Sequence, residues 1–292
     1  MIKTLKIGLA MLLFCNIATA NDSLSIKSNI IKKRLLIGGE ALVYTTGYIG
    51  LNYLWYTDYP RTSFHFFNDG NEWLQMDKCG HSYSTYWIAR ANYKLLQWSG
   101  VDDKKAIWSS IASSWLFIST IEVFDGFSSE YGASPEDIIA NTAGASLFGI
   151  QQLLWKEQKI QYKFSYFPSK YAKYRPDELG STWIERGLKD YNGQTYWLST
   201  GIGTITGIKA IPQWLNIAVG YGADGMTGAA NNKGILPENQ RIRQLYFSFD
   251  LNLEKIKTKN KILKTVFFMF DCLKFPLPAI EINKNATKLL IR

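Results

Sequence analysis

Apolar segments with helical spacing dominate the first half of the chain. Leu35–Trp55 has Glu40 as its only charged residue, and Ile138–Trp155 has none. Between them the pattern predicts helices from about Leu74 to Trp98 and from Lys104 to about Phe124. Because each helix has apolar positions to bury, we expect about four helices to form a compact bundle.

The first of these segments also has the length of a membrane span. Leu35–Trp55 follows the basic residues 32–34, and Tyr and Trp cluster near its end, as at a membrane interface. A buried helix of a large soluble bundle would have the same pattern. We favour the membrane, for this segment and for Ile138–Trp155, because one Glu within a span is tolerated when it faces protein.

The period of the pattern changes from helical to two after Gln161. In Gln244–Glu254 apolar and polar residues alternate strictly, and Leu215–Tyr221 and Tyr196–Ile202 alternate in a similar way. Such strands occur in membrane sheets and in ordinary sheets. Three or four strands are too few to close a barrel, so we expect a small antiparallel sheet beside the bundle. Helical spacing returns near 262–275, and the predicted fold class is therefore α+β.

The first twenty residues have the form of a secretory signal peptide. Two lysines precede an apolar run, Ile7–Ile17, that is too short to span a bilayer, and Ala18-Thr19-Ala20 is a small-x-small cleavage pattern. Phe14 precedes Cys15 where lipidation would require a small residue, so we expect no lipid there. The predicted organisation is a signal peptide (1–20), a helical bundle (21–160) and a basic, strand- and turn-rich region (161–292).

Composition and charge indicate where the exported chain resides. Aromatic residues make up 15% of the chain, and Tyr and Trp suit borders between apolar and wet surroundings. Residues 21–160 contain 12 Lys and Arg against 14 acids, whereas residues 161–292 contain 19 against 10. An exported chain has little access to nucleic acid. We therefore expect a membrane lipid or an envelope component as partner, with the protein membrane-associated and facing the periplasm, or in the outer membrane.

Cysteine and histidine are scarce. Three Cys and two His exclude zinc modules rich in these residues and disulfide-dense scaffolds. Cys79 and Cys272 remain after cleavage and are able to form one disulfide if they meet.

Polar residues stand at the ends of the predicted apolar helices. Asp77 and His81 are one helical turn apart, and Asp137 and Asn141 are as well. The third helix ends with Glu122 and Asp125. Short connections make the second and third helices antiparallel neighbours, so all three sets are predicted to meet at one end of the bundle. Caps and salt bridges are the alternative interpretation of each residue taken singly.

Three stretches resemble a known family. HFFNDGNEWLQMDKCGH, TIEVFDGFSSEYGAS and PEDIIANTAG are similar to the YfiM-like envelope proteins, described as predicted periplasmic lipoproteins, over roughly residues 35–225. More loosely, residues 74–155 resemble the polar signature of VanZ-like membrane proteins. The positions that match that signature are Asp77, Lys78, His81, Glu122, Asp137 and Asn141. The resemblance implies an envelope protein and supplies no reaction.

Two classes of function remain. We favour a binding or structural protein of the envelope, whose acids and His81 hold the bundle together or bind a headgroup, because no known hydrolase constellation is present. The alternative is a membrane-surface enzyme acting on a lipid or cell-wall substrate. His81 would then be the general base or a metal ligand, with Asp77, Glu122 and Asp137 around it. Lys78 would offset negative charge on the substrate. One His with carboxylates suits Mg²⁺, Mn²⁺ or Ca²⁺ better than zinc.

Overall fold

The computed structural model describes residues 26–56 and 59–292, so the predicted signal peptide lies outside the described residues. Four long helices occupy the first half of the described chain. They are α1 (Ile26–Leu51), α2 (Met76–Trp98), α3 (Asp103–Gly126) and α4 (Pro135–Trp155). Helices α2, α3 and α4 pack on one another around a core that includes Tyr86, Ile107 and Phe148.

The second half is a six-stranded antiparallel sheet with short helices between its strands. The strands pair in chain order, each with the next. They are β1 (Ile160–Tyr166), β2 (Gln194–Gly201), β3 (Leu215–Asp224), β4 (Ile242–Leu251), β5 (Pro278–Asn283) and β6 (Thr287–Ile291). The short helices are α5 (Pro176–Leu179), α6 (Trp183–Lys189), α7 (Ile202–Thr206) and α8 (Lys261–Phe270).

The mixed α+β architecture agrees with the sequence analysis, but the element counts differ. The described residues form eight α-helices rather than about four, because the connections of the sheet contain four short ones. The sheet has six strands rather than three or four. Residues 160–166 mix aromatic and charged side chains, and β5 and β6 are short, which is why the alternation did not reveal them. Both Cys79 and Cys272 are free thiols.

One described helix, α3, is long and apolar enough to cross a membrane. Helices α1 and α4 contain most of the two predicted spans. By the same criterion of length and hydropathy, neither of them qualifies as a membrane span. The core helix of a bundle passes the same test, and α3 packs against both α2 and α4. Membrane spanning by these helices therefore stays a prediction.

Small residues let the bundle helices approach closely. A Cβ atom added to Gly144 on α4 would lie 2.0 Å from the backbone oxygen of Ser82 on α2. Gly149, one turn and a half further along α4, faces the side chain of Ile111 on α3 in the same way. Gly144 and Gly149 thus lie where α4 approaches α2 and α3 closely.

We expect Gly144→Ala to lower the free energy of unfolding by about 2–3 kcal/mol, because the rigid α2 backbone must move away from the new methyl group. Urea unfolding of the mature chain measures this. Gly38→Ala on α1 is the matched control, since nothing lies within 4 Å of its Cβ position. The control should be neutral or stabilising by up to about 1 kcal/mol. Equal effects of the two changes would contradict the close approach.

Candidate functional site

A left-handed segment sets the start of α2, the helix that carries most of the candidate site. Trp73, Leu74 and Gln75 all have positive φ angles, of 46°, 52° and 65°. This conformation is costly for residues with side chains. It is held from outside, because the amide of Trp73 donates to Ala229 O at 2.9 Å and the Tyr221 hydroxyl donates to Leu74 O at 2.5 Å. The helix predicted from about Leu74 therefore begins at Met76.

Hydrogen bonds connect the start of α4 to acidic residues of neighbouring segments. Ser134, directly before Pro135, caps the helix by accepting a hydrogen bond from the amide of Asp137 at 3.1 Å. The same hydroxyl donates to Asp69 Oδ1 at 2.6 Å, and the amide of Ser134 donates to Glu122 Oε2 at 2.9 Å. One capping residue thereby holds two acidic side chains, those of Asp69 and Glu122, near the first turn of α4.

His81 lies at the centre of these acids. Its Nε2 atom is 3.9 Å from Asp77 Oδ1, 3.8 Å from Glu122 Oε1 and 3.7 Å from Asp137 Oδ1. These distances are too long for hydrogen bonds. His81, Asp77 and Asp137 each offer one ligand atom within 4.8 Å of the other two, a spacing that suits contact with one cation, and Glu122 lies beside His81.

The other nitrogen of His81 fixes the ring. Nδ1 lies 3.1 Å from Asn141 Oδ1, an atom that accepts hydrogen bonds and cannot donate them. Asn141 is itself oriented, because its amide nitrogen donates to Ser119 Oγ at 3.2 Å. Nδ1 therefore carries a proton, and in the neutral ring the lone pair of Nε2 points toward the carboxylates. Histidines that bind metals through one nitrogen have this arrangement at the other.

Lys78 is the cation of the cluster. Its Nζ lies 2.6 Å from Asp69, 3.1 Å from Asp77 and 2.7 Å from Asp137. Four carboxylates thus surround one lysine and one histidine, counting Glu122 beside His81. With all four acids ionised and His81 protonated, the acids would exceed the bases by two charges. Glu122 Oε1, on a side chain only 4% exposed, has no hydrogen-bond partner among the described residues.

The pKa values of the cluster diverge. Burial and the neighbouring Asp77 charge raise the pKa of Asp137 to about 8, and burial raises the pKa of Glu122. Burial also acts to raise the pKa of Asp77, but His81, Lys78 and the Tyr191 hydroxyl outweigh it and lower that pKa. Burial lowers the pKa of His81, yet the surrounding carboxylates raise it overall. Environments that separate like groups in this way are typical of functional sites.

The site opens into a cavity of about 750 Å³ between the bundle and the sheet. His81, Asp77 and Asp137 contribute to its polar wall. Ten of the other lining residues are aromatic: Trp55, Tyr56, Tyr59, Phe67, Trp73, Tyr83, Tyr131, Phe164, Tyr191 and Tyr196. A pocket that combines aromatic side chains with charged and polar ones has the composition of a ligand site.

Asp125 lies apart from the atoms around His81. Its Oδ1 accepts a hydrogen bond from the Tyr56 hydroxyl at 2.6 Å, and its side chain lines the same cavity. Burial raises its pKa to about 7. The structure thus brings Asp77, Lys78, Glu122, Asp137 and Asn141 into contact with His81 or with one another. It places Asp125 further along the cavity wall.

Comparison with known proteins identifies one segment. Residues 65–152 match the family model described as "Predicted periplasmic lipoprotein (DUF2279)". The match covers 88 of the 292 residues and supports an exported protein of the cell envelope that faces the periplasm. No curated protein and no solved structure matches the chain.

The DUF2279 segment contains all the candidate residues from Asp69 to Asn141, and the sheet lies outside it. One contact to the site nevertheless comes from beyond the segment. The Tyr191 hydroxyl donates to Asp77 Oδ1 at 2.8 Å from 114 residues away along the chain. Neither Tyr191 nor Asp69 stands at helical spacing from a candidate, and no signal in the sequence marked them.

Proposed function

We propose that this envelope protein binds a divalent cation between His81 and the carboxylates of Asp77 and Asp137, with the Glu122 carboxylate beside them. The observation that carries the proposal is that these three residues each offer a ligand atom within 4.8 Å of the other two, while His81 Nδ1 is fixed by Asn141. Glu122 adds to it, because its buried Oε1 has no hydrogen-bond partner and a nearby cation would offset its charge. Oxygen-rich sites of this kind suit Mn²⁺, Mg²⁺ or Ca²⁺.

The cation would face the cavity with its aromatic residues. The composition of the cavity therefore indicates which kind of ligand the protein binds. A bound cation attracts phosphate or carboxylate groups, while aromatic walls contact rings or acyl chains. We infer that the ligand is an organic anion with an apolar part. Lys78 would stay with Asp69, Asp77 and Asp137 and keep their oxygens in place. The protein is then a binding protein of the envelope.

Glu122→Gln gives the sharpest test, because it removes the charge and keeps the shape. We expect this variant to raise the melting temperature of mature protein treated with EDTA, since the unpartnered buried charge is gone. We also expect it to reduce the increase in melting temperature that Mn²⁺ produces in the natural chain. Glu130→Gln is the control and should change neither value. If Glu122 has only a structural role, the variant lowers the melting temperature with and without Mn²⁺, and that result would refute the cation site.

A second candidate function is hydrolysis, which the size of the cavity favours. About 750 Å³ is enough for an organic substrate beside the cation. A bound cation lowers the pKa of water and polarises phosphoryl oxygens. Turnover of bis(p-nitrophenyl) phosphate that requires Mn²⁺ and is lost in His81→Ala would favour the enzyme. Binding of Mn²⁺ without turnover of this or a monoester probe would favour the binding protein.

A further inference from the structure

One face of the sheet packs against α2 through Tyr162 and Tyr196. Beyond that contact the same face carries large apolar side chains that are each 40–76% exposed, the reverse of the polarity expected next to water. We call the following residues the outward face: Leu198, Ile217, Val219, Leu245, Phe247, Phe249, Ile280, Ile282, Leu289 and Ile291. Single exposed apolar residues are ordinary, but a continuous apolar surface marks an interaction site.

The opposite face of the sheet is buried and carries polar and charged residues beside a cluster of Trp197, Ala218, Tyr246 and Ala279. Lys163 on β1 has no exposed surface, and its Nζ lies 3.1 Å from Asp250 Oδ2 on β4 and 3.0 Å from Asp271 Oδ1. Strands β1 and β4 are three positions apart, which is about 14 Å in a flat sheet. The contact between their side chains shows that the sheet curls around its polar face. The apolar residues therefore lie on the convex side.

The register makes the outward face continuous. Leu198 pairs with Val219, Val219 with Phe247, Phe247 with Ile280, and Ile280 with Leu289. This single row crosses five strands, or roughly 19 Å. Strands β3 and β4 have ten residues each, the length of strands that contact lipid through the thickness of a membrane. In such strands, apolar residues that face outward alternate with polar residues that face inward.

The shape and charge of this region select among possible occupants. Two convex faces touch only along a narrow strip, so a second copy of the chain would cover little of the row. Fluid acyl chains conform to a curved surface. The region from residue 161 to the end carries a net charge of +9, which attracts anionic headgroups. At one end of the strands, the loop between β2 and β3 exposes Ile205, Ile208 and Trp214, residues that suit a membrane interface.

We propose that the outward face contacts the hydrocarbon of a membrane that contains anionic lipids. The proposal does not depend on the cation site, because none of the outward-face residues lines the cavity beside His81. It also replaces the helices by the sheet as the surface that associates with lipid. The protein would sit with its convex sheet against the membrane and its site within reach of amphiphilic molecules.

Flotation with vesicles tests the proposal. Full-length mature protein is mixed with vesicles of phosphatidylethanolamine and phosphatidylglycerol and centrifuged through a sucrose gradient. We expect the natural chain to float with the vesicles, and Phe247→Glu and Val219→Glu each to reduce the floating fraction at least tenfold. Ile184→Glu on α6, a residue 59% exposed and outside the face, should float like the natural chain. His81→Ala should float as well.

Three results would overturn the proposal. The natural chain stays at the bottom of the gradient, or Phe247→Glu floats as well as the natural chain does. The third is a natural chain that is dimeric without lipid and becomes monomeric in Phe247→Glu with no change in flotation, which would make a second copy the occupant. Circular dichroism and urea unfolding identify variants that fail to fold. Because Phe247 and Val219 are both partly exposed, at least one of the two variants should fold.

Discussion

Mature protein with His81 replaced by alanine should bind Mn²⁺ at least about 100-fold more weakly than the natural chain. The change removes the nitrogen that faces all three carboxylates and leaves those acids to repel one another. Loss of an outer partner of a ligand already costs about 10–100-fold, and His81 would be a ligand itself. Equilibrium dialysis or isothermal titration calorimetry after EDTA treatment measures the affinity.

The chain contains its own control for this experiment. His65, the other histidine, lies outside the cluster with Nδ1 3.3 Å from Ser63 O, and His65→Ala should bind Mn²⁺ like the natural chain. Asn141→Ala should weaken binding by about 10–100-fold, because it frees the imidazole ring without removing a ligand. Equal affinities of His81→Ala and His65→Ala for Mn²⁺ would contradict the proposed site.

Replacing Lys163 with methionine should lower the free energy of unfolding by about 3–5 kcal/mol. The lysine is completely buried between Asp250 and Asp271, and its loss leaves two carboxylates without their counter-charge. Burial already raises the pKa of Asp271 to about 6 with the lysine present. Urea unfolding of the mature chain measures the change.

Two further variants distinguish the effect of an unpaired buried charge on stability from the effect of lost packing. Lys264→Met on α8 replaces an exposed lysine and should change stability by less than about 0.5 kcal/mol. Lys163→Met combined with Asp250→Asn and Asp271→Asn should recover much of the loss, because the unpaired charges are gone. A loss below about 1 kcal/mol for Lys163→Met alone would show that the polar face of the sheet is not held by this cluster.

The parts of the fold that local interactions determine could be predicted from the sequence. Ser134 before Pro135 is a local signal for the start of α4, and Asp102 caps α3 by accepting from the amide of Lys105. Gly144 is a signal of another kind, because a residue without a side chain is needed where the backbones of α4 and α2 approach closely. Three of the six strands were found by their alternation.

The parts that depend on distant contacts could not be predicted in this way. The left-handed residues before α2 are held by Tyr221 and Ala229, more than 140 residues later in the chain. The alternation in β4 predicts that one set of side chains faces inward. It does not tell which set, because apolar and polar residues alternate in the same way in either case. Asp250 and Tyr246 are buried and Phe247 is exposed because Lys163, on another strand, compensates the acid.

A crystal structure of the mature protein grown with MnCl₂ tests the cation site most directly, through an anomalous difference map at the manganese absorption edge. We expect one strong peak about 2.1–2.4 Å from His81 Nε2 and from carboxylate oxygens of Asp77 and Asp137. The proposed site would be contradicted by a map with no peak at this position and with His81 Nε2 hydrogen-bonded directly to one of the neighbouring carboxylates at about 2.8 Å.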